Sequence, residues 1–125
     1  MTLKLGEIIN IYQALQGIID DEKSNIEALF KFKLLGMMKK LDVHIQNFEI
    51  IKNDKIKEYG VKMEDGNIGI PPENEELMEK FKKSLEPVLK SDIDVDIEKF
   101  KASEICSQGV RSNYLLGLYS IIEEQ

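Results

Sequence analysis

The sequence of 125 residues contains no tryptophan, one cysteine, one histidine, three prolines and a single arginine. With Cys106 alone, no internal disulfide can form and a metal site built on cysteines is excluded, which suits a reducing compartment. Aromatic residues make up only 7%, so a core must rest on Ile, Leu, Met and a few Phe. No apolar run exceeds a few residues, so no segment is expected to span a bilayer. The opening Met1-Thr2-Leu3-Lys4-Leu5-Gly6-Glu7 lacks a basic region followed by an apolar stretch, so no signal peptide is expected. The net charge of −6 argues against a duplex nucleic-acid binder, whose affinity comes largely from neutralising phosphates. It leaves room for a small anion held in a local basic pocket.

What is present is enough for one folded domain over 1–125. Apolar residues are 42% and charged residues 32%, outside the range of wholesale disorder. Leu5, Ile8, Ile9, Tyr12, Leu15, Ile18 and Ile19 recur at three- and four-residue steps and predict a first helix over 3–19, weakened at its end by Gly17. Residues 22 to 58 contain no proline and one glycine, Gly36, and read as one long helix. Ser24 is its expected N-cap, with Glu27 completing a capping box, and Gly60 is its expected stop.

Two apolar stripes run along that helix. The first is Ile26, Leu29, Phe30, Met37, Leu41, Ile45 and Phe48; the second, on another face, is Phe32, Leu35, Val43 and Ile50. A helix of this length reaches about 50 Å, whereas a compact domain of this size is about 36 Å across. The second stripe therefore predicts a homodimer or higher homo-oligomer. A break at Gly36, folding two shorter helices back on one another, is the alternative.

Beyond Gly60 the pattern changes. Val61, Met63, Ile68 and Ile70 flank Asp65-Gly66-Asn67, the signature of a small hairpin or a lone turn. Pro71-Pro72 opens a third helix with Leu77, Met78, Phe81 and Leu85 on one side, and Pro87 is expected to stop it. Residues 91 to 97 alternate strictly, with Ile93, Val95 and Ile97 on one face and Asp92, Asp94 and Asp96 on the other, the clearest strand in the chain. A last helix is expected over 109–123. The fold class is thus α+β and mostly helical: a long central helix, short antiparallel strands, a C-terminal helix, and a dimeric or higher assembly.

No catalytic signature is visible. His44 has no motif partner and reads as an ordinary histidine of the long helix. Cys106 has no basic neighbour to stabilise a thiolate and reads as a packed small side chain. Asp92, Asp94 and Asp96 lack the glycine and glutamate of a calcium loop, so a solvated strand face is the better reading. No metal site and no cofactor is expected.

Two features carry more chemistry. Lys31, Lys33, Lys39 and Lys40 occur with no acid between 28 and 41, followed by Lys52, Lys55 and Lys57, so the long helix is locally basic or simply solvated. Arg111, the lone arginine, stands in Gly109-Val110-Arg111-Ser112-Asn113-Tyr114. Its planar fork of donors suits phosphate, beside the free N–H groups of a starting helix; a structural salt bridge is the alternative.

The segments "KLGEIINIYQALQGI", "KIKEYG", "EDGN" and "IPPENEEL", in this order and spacing, resemble a family of small proteins from phages of Firmicutes. One branch is similar to the Thoeris anti-defence sponges, which bind a cyclic ADP-ribose isomer without cleaving it and so silence a host defence effector. The resemblance implies a non-enzymatic homo-oligomer in the host cytoplasm, with a small cyclic nucleotide, and cyclic oligonucleotides in some members, as ligand. It implies no membrane and no duplex nucleic acid as partners. On that basis Phe81 and Tyr114 are candidates to stack on an adenine, and Arg111, Lys57 and Asn113 to meet phosphate and ribose. Asp92 and Asp94 are candidates to accept from ribose hydroxyls or the adenine amine. A phage assembly accessory protein and a direct protein inhibitor of a host enzyme, its 73–76 and 92–96 acids covering a basic site, are the alternatives. A cyclic-nucleotide hydrolase ranks last.

Overall fold

A computed structural model describes residues 1–21 and 25–123. The chain begins as a short strand, β1 (Thr2–Lys4), and turns at once into α1 (Leu5–Asp20). The periodicity that predicts a helix from residue 3 is therefore obeyed only from Leu5. The Lys4 N–H donates to the Glu7 carboxylate at 3.0 Å, which satisfies one donor at the helix start. Ile8, Ile11, Leu15 and Ile18 are fully covered and form one wall of the core.

The long helix is unbroken. α2 (Ala28–Tyr59) runs 32 residues straight through Gly36, about 48 Å. The expected N-cap Ser24 lies outside the described residues. The Glu27 N–H is met by the side chain of Gln108 at 3.0 Å, a cap supplied from far along the chain. The covered residues of α2 are Phe30, Leu34, Met37, Met38 and Leu41, all in its first half. Leu29, assigned above to the covered stripe, is 78% exposed; it stands about 100° around the helix from Phe30. Leu34 and Met38 take its place.

After α2 the chain forms a hairpin of β2 (Val61–Lys62) and β3 (Ile68–Gly69), antiparallel, with Val61 opposite Gly69. Gly66 holds φ at +88° in its turn, a conformation that disfavours any side chain. α3 (Glu75–Leu89) follows, capped by Asn74, whose side chain accepts from the Leu77 N–H at 3.1 Å. Contrary to the sequence expectation, α3 continues two residues past Pro87. Pro87 sits in the last turn on an exposed side, where the carbonyl it leaves free is open to water.

The alternating segment forms β4 (Asp92–Asp94), shorter than the expected 91–97. Its partner is β1, antiparallel, with Leu3 opposite Ile93, and the Val95 N–H extends the ladder to the Met1 carbonyl at 2.8 Å. The alternation still decides the faces: Val95 and Ile97 are covered while Asp92, Asp94 and Asp96 are exposed.

The expected helix over 109–123 is broken into pieces. β5 (Phe100–Lys101) leads into α4 (Ala102–Ser107), which ends at Gly109 with φ +68°. A single turn, α5 (Ser112–Leu115), and a 3-10 turn at Tyr119–Ile121 lead to β6 (Ile122–Glu123), parallel to β5. Long-range packing overrides the helical pattern here. Leu118 and Ile121 must reach the same core as Phe100, and a Cβ on Gly117 would stand 2.9 Å from that of Ala14. The Phe30 and Phe100 rings, 5.7 Å apart, tie α2 to this segment.

The core is thus a seam between α1 and the first half of α2, closed by the C-terminal segment. Leu41→Ala, at a fully buried position, is expected to cost about 2–5 kcal/mol in chemical denaturation. Glu7 links the chain's two ends. Hydrogen bonds from the Lys4 N–H, and from the Ser120 hydroxyl at 2.7 Å, hold its carboxyl below the ordinary carboxylate value. A lowered folded pKa contributes stability at neutral pH that is lost as pH falls through it. Glu7→Gln should therefore melt below wild type at neutral pH, and the gap should close on acidification; a gap constant through the acid range contradicts this role.

Candidate functional site

The best-formed concavity lies along the groove between α1 and α2. It is open to solvent, measures about 540 Å³ and is lined by Tyr12, Phe32, Leu35, Gly36, Met38, Lys39 and Asp42, a volume within the usual range of small-ligand pockets. Helix geometry builds it. Leu35 and Gly36 each stand three or four residues from both Phe32 and Lys39, so the four share one side of α2. Gly36 has nothing within 4 Å of where a Cβ would be, so the wall is flat at that point. Tyr12 rises from α1 on the other side.

The walls are apolar and the polar groups few. The Tyr12 hydroxyl donates to Asp42 at 3.4 Å, and the Gln46 amide donates to the other Asp42 oxygen at 2.6 Å. Burial of the ring pushes the Tyr12 phenol above its ordinary value, and the Asp42 carboxylate adds to the shift. Tyr12 is therefore a neutral phenol at physiological pH. Lys39 is exposed at the rim. This set can stack on a planar ring, attract an anion through Lys39 and accept from an amine or hydroxyl through Asp42. Among the described residues the groove is lined by no serine, threonine, cysteine or histidine to act as nucleophile or as imidazole base. Among the described residues no group of three or more His, Cys, Asp or Glu is placed to hold a metal ion.

The seven residues singled out above do not converge. Arg111 pairs with Asp21 at 3.5 Å, just past the C-terminal end of α1, and the Asp21 side chain is only 7% exposed. The salt-bridge alternative is the one found. Tyr114 packs its ring against Gly17, where any Cβ would strike it, and belongs to the core margin. Asn113 is exposed on the single turn of α5. Asp92 pairs with Lys4 at 3.3 Å and Asp94 with the Met1 amino group at 3.4 Å, at the opposite end of α1. A 16-residue helix, about 24 Å long, separates the two groups. Phe81 is half-buried on α3 and Lys57 exposed in the last turn of α2. Among the described residues no side-chain hydrogen bond or ion pair joins any two of the seven; the Tyr114 N–H donates to the Arg111 carbonyl at 3.1 Å within the turn that opens α5.

The basic character of α2 is also smaller than its lysine count. Lys33 is held by Glu104 at 2.9 Å and lies over the Phe100 ring, Lys40 pairs with Asp96 at 3.7 Å, and Lys55 with Glu58 at 3.0 Å. Sequence reasoning saw Phe32 and Leu35 as an apolar stripe but missed the groove, because Tyr12 reads as part of the α1 core stripe. Asp42, the first acid after the basic run, was the remaining signal.

No helix among the described residues is long and apolar enough to cross a membrane. Comparison of the chain with protein-family models, with curated proteins and with solved structures finds no match. Arg111→Ala is expected to lower stability by about 0.5–1 kcal/mol through its ion pair and to leave ligand affinity unchanged. Denaturation and ligand titration of the variant check this; lost ligand binding at unchanged stability would restore Arg111 to the site.

Proposed function

We propose that this protein works by binding rather than by catalysis: it holds a small nucleotide-type ligand in the α1–α2 groove and sequesters it. The observation that carries the proposal is the groove itself. Two aromatic rings, Tyr12 and Phe32, face one cavity with a rim lysine and a carboxylate. An adenine-bearing pyrophosphate of the cyclic ADP-ribose class offers complementary chemistry: a planar base, an anionic pyrophosphate, and amine and hydroxyl donors. Such a role is that of the phage sponges which the sequence resembles. Kinship adds no weight, since no relative or family model matches, so the proposal rests on the groove.

A second reading is favoured by the apolar residues that α2 leaves exposed. There the protein is an accessory to virion assembly whose partner covers them. The third reading, a direct inhibitor acting through clustered carboxylates, is less well supported, because Asp92, Asp94 and Asp96 are each tied to a cation of the same chain.

The test is a thermal-shift screen against cyclic ADP-ribose isomers and cyclic di- and trinucleotides. A ligand at a hundredfold excess over its dissociation constant adds about 2.7 kcal/mol of stability, which is readily seen. Heat denaturation should then release the compound chemically unchanged. Lys39→Ala should weaken binding by about 1.5–3 kcal/mol, the range for hydrogen bonds to charged groups, and Phe32→Ala by about 1–3 kcal/mol if a base stacks there. No shift across the panel refutes the sponge and moves the weight to the assembly reading; altered product refutes the non-catalytic role.

A further inference from the structure

Two hollows meet on the exposed side of α2. The first is the groove between α1 and α2. The second, also open, measures about 430 Å³ and lies between α2 and the segment that follows β4; Lys33, Met37 and Lys40 line it from the helix, and Asp96, Ile97 and Glu98 from the segment. Among the described residues Gly36 alone lines both. A smaller hollow toward Glu27 and Gln108 borders the groove at Phe32 and the second hollow at Lys33, and side chains stand at both borders. At Gly36 there is none, and nothing lies within 4 Å of where a Cβ would be. Glycine in a helix interior is destabilising relative to alanine, and no packing contact here requires it.

We infer that a ligand held in the groove continues over Gly36 into the second hollow, and that it is a nucleoside diphosphate bearing a sugar on its outer phosphate. The inference rests on the groove as a nucleotide site and adds what lies beyond the base. Helix geometry places the cations. Lys39 stands about 60° around the helix from Gly36 on the groove side, and Lys40 about 40° on the other, each roughly one turn on. A pyrophosphate lying on the bare backbone at Gly36 is thus reached by one ammonium group from each side. Lys40 donates to the Asp96 carbonyl at 2.8 Å and stands 3.7 Å from its carboxylate. Both side chains are exposed, so the ion pair is of the weak surface kind and gives way to a doubly charged anion.

The two hollows differ in chemistry. Tyr12, Phe32 and Leu35 make the groove a place for a base. The second hollow sets the carboxylates of Asp96 and Glu98 beside its two lysines. Carboxylates repel a terminal phosphate but accept hydrogen bonds from sugar hydroxyls. The ligand therefore runs base, pyrophosphate, sugar from the first hollow to the second.

ADP and ADP-ribose are the probes, since they differ by the outer ribose, and calorimetric titration gives both affinities. ADP carries the greater negative charge, so attraction to the lysines cannot by itself favour ADP-ribose. The wild type should hold ADP-ribose about tenfold more tightly, the worth of a hydrogen bond to a charged group. Gly36→Leu places a side chain in the crossing and should bring the ratio to about one. It should melt no lower than wild type, because leucine favours a helix over glycine. Asp96→Ala, at a fully exposed side chain, should move the probes in opposite directions: ADP-ribose binds more weakly and ADP more tightly. Equal affinities in the wild type, or a ratio that survives either substitution, overturns the inference. If ADP binds as well as ADP-ribose and Phe32→Ala weakens it, the groove stands as a nucleotide site and only the crossing falls. If neither probe nor any compound of the thermal-shift screen binds, the groove reading falls and this inference with it.

Discussion

A helix longer than the body that carries it governs this structure. α2 extends about 48 Å, and the chain is too small to surround it. The buried residues of α2, from Phe30 to Leu41, all lie in its first half, with Ile45 packed against their margin. There α2 meets Ile8, Ile11, Leu15 and Ile18 of α1, and the C-terminal segment folds over the pair to bring Phe100, Leu118 and Ile121 to the same seam. The second half runs on with α3 and the β2–β3 hairpin beside it and buries much less. What remains of α2 after that seam is satisfied is the outward row, and the groove opens along its border.

The two sides of α2 therefore differ in chemistry. The covered side is wholly apolar, with no buried polar or charged residue among those described. The exposed side mixes aromatic, aliphatic, cationic and anionic groups. Apolar burial of the first kind dominates folding. The ion pairs around it, nearly all with an exposed partner, contribute little each.

Much of the fold was legible. The helices α1, α2 and α3 follow from apolar spacing, which is local and needs no knowledge of partners. The Ile93, Val95, Ile97 alternation declared both a strand and its inward face. The exposed stripe of α2 was legible for the same reason. The errors share one cause. Leu3 and Lys4 read as the start of a helix because the pairing of Thr2–Lys4 with Asp92–Asp94 lies some 90 residues away. The C-terminal apolar cluster read as one helix because nothing local announces that Ile122 will pair with Phe100 or that Gly117 will lie against Ala14.

The site shows the same limit more sharply. Arg111, Asn113, Tyr114, Phe81, Lys57, Asp92 and Asp94 each have side chains that suit a nucleotide, and the fold scatters them to opposite ends of α1 and onto other helices. Sequence alone determined the periodicities, the acidic balance, the length of α2 and the existence of its second apolar row, since each depends on neighbours within a few residues. Only tertiary structure decided that Arg111 pairs with Asp21 and that Tyr12 faces Phe32, Lys39 and Asp42 across a groove. A site is a meeting of side chains from separate segments, and the packing of α1 on α2 sets which of them meet.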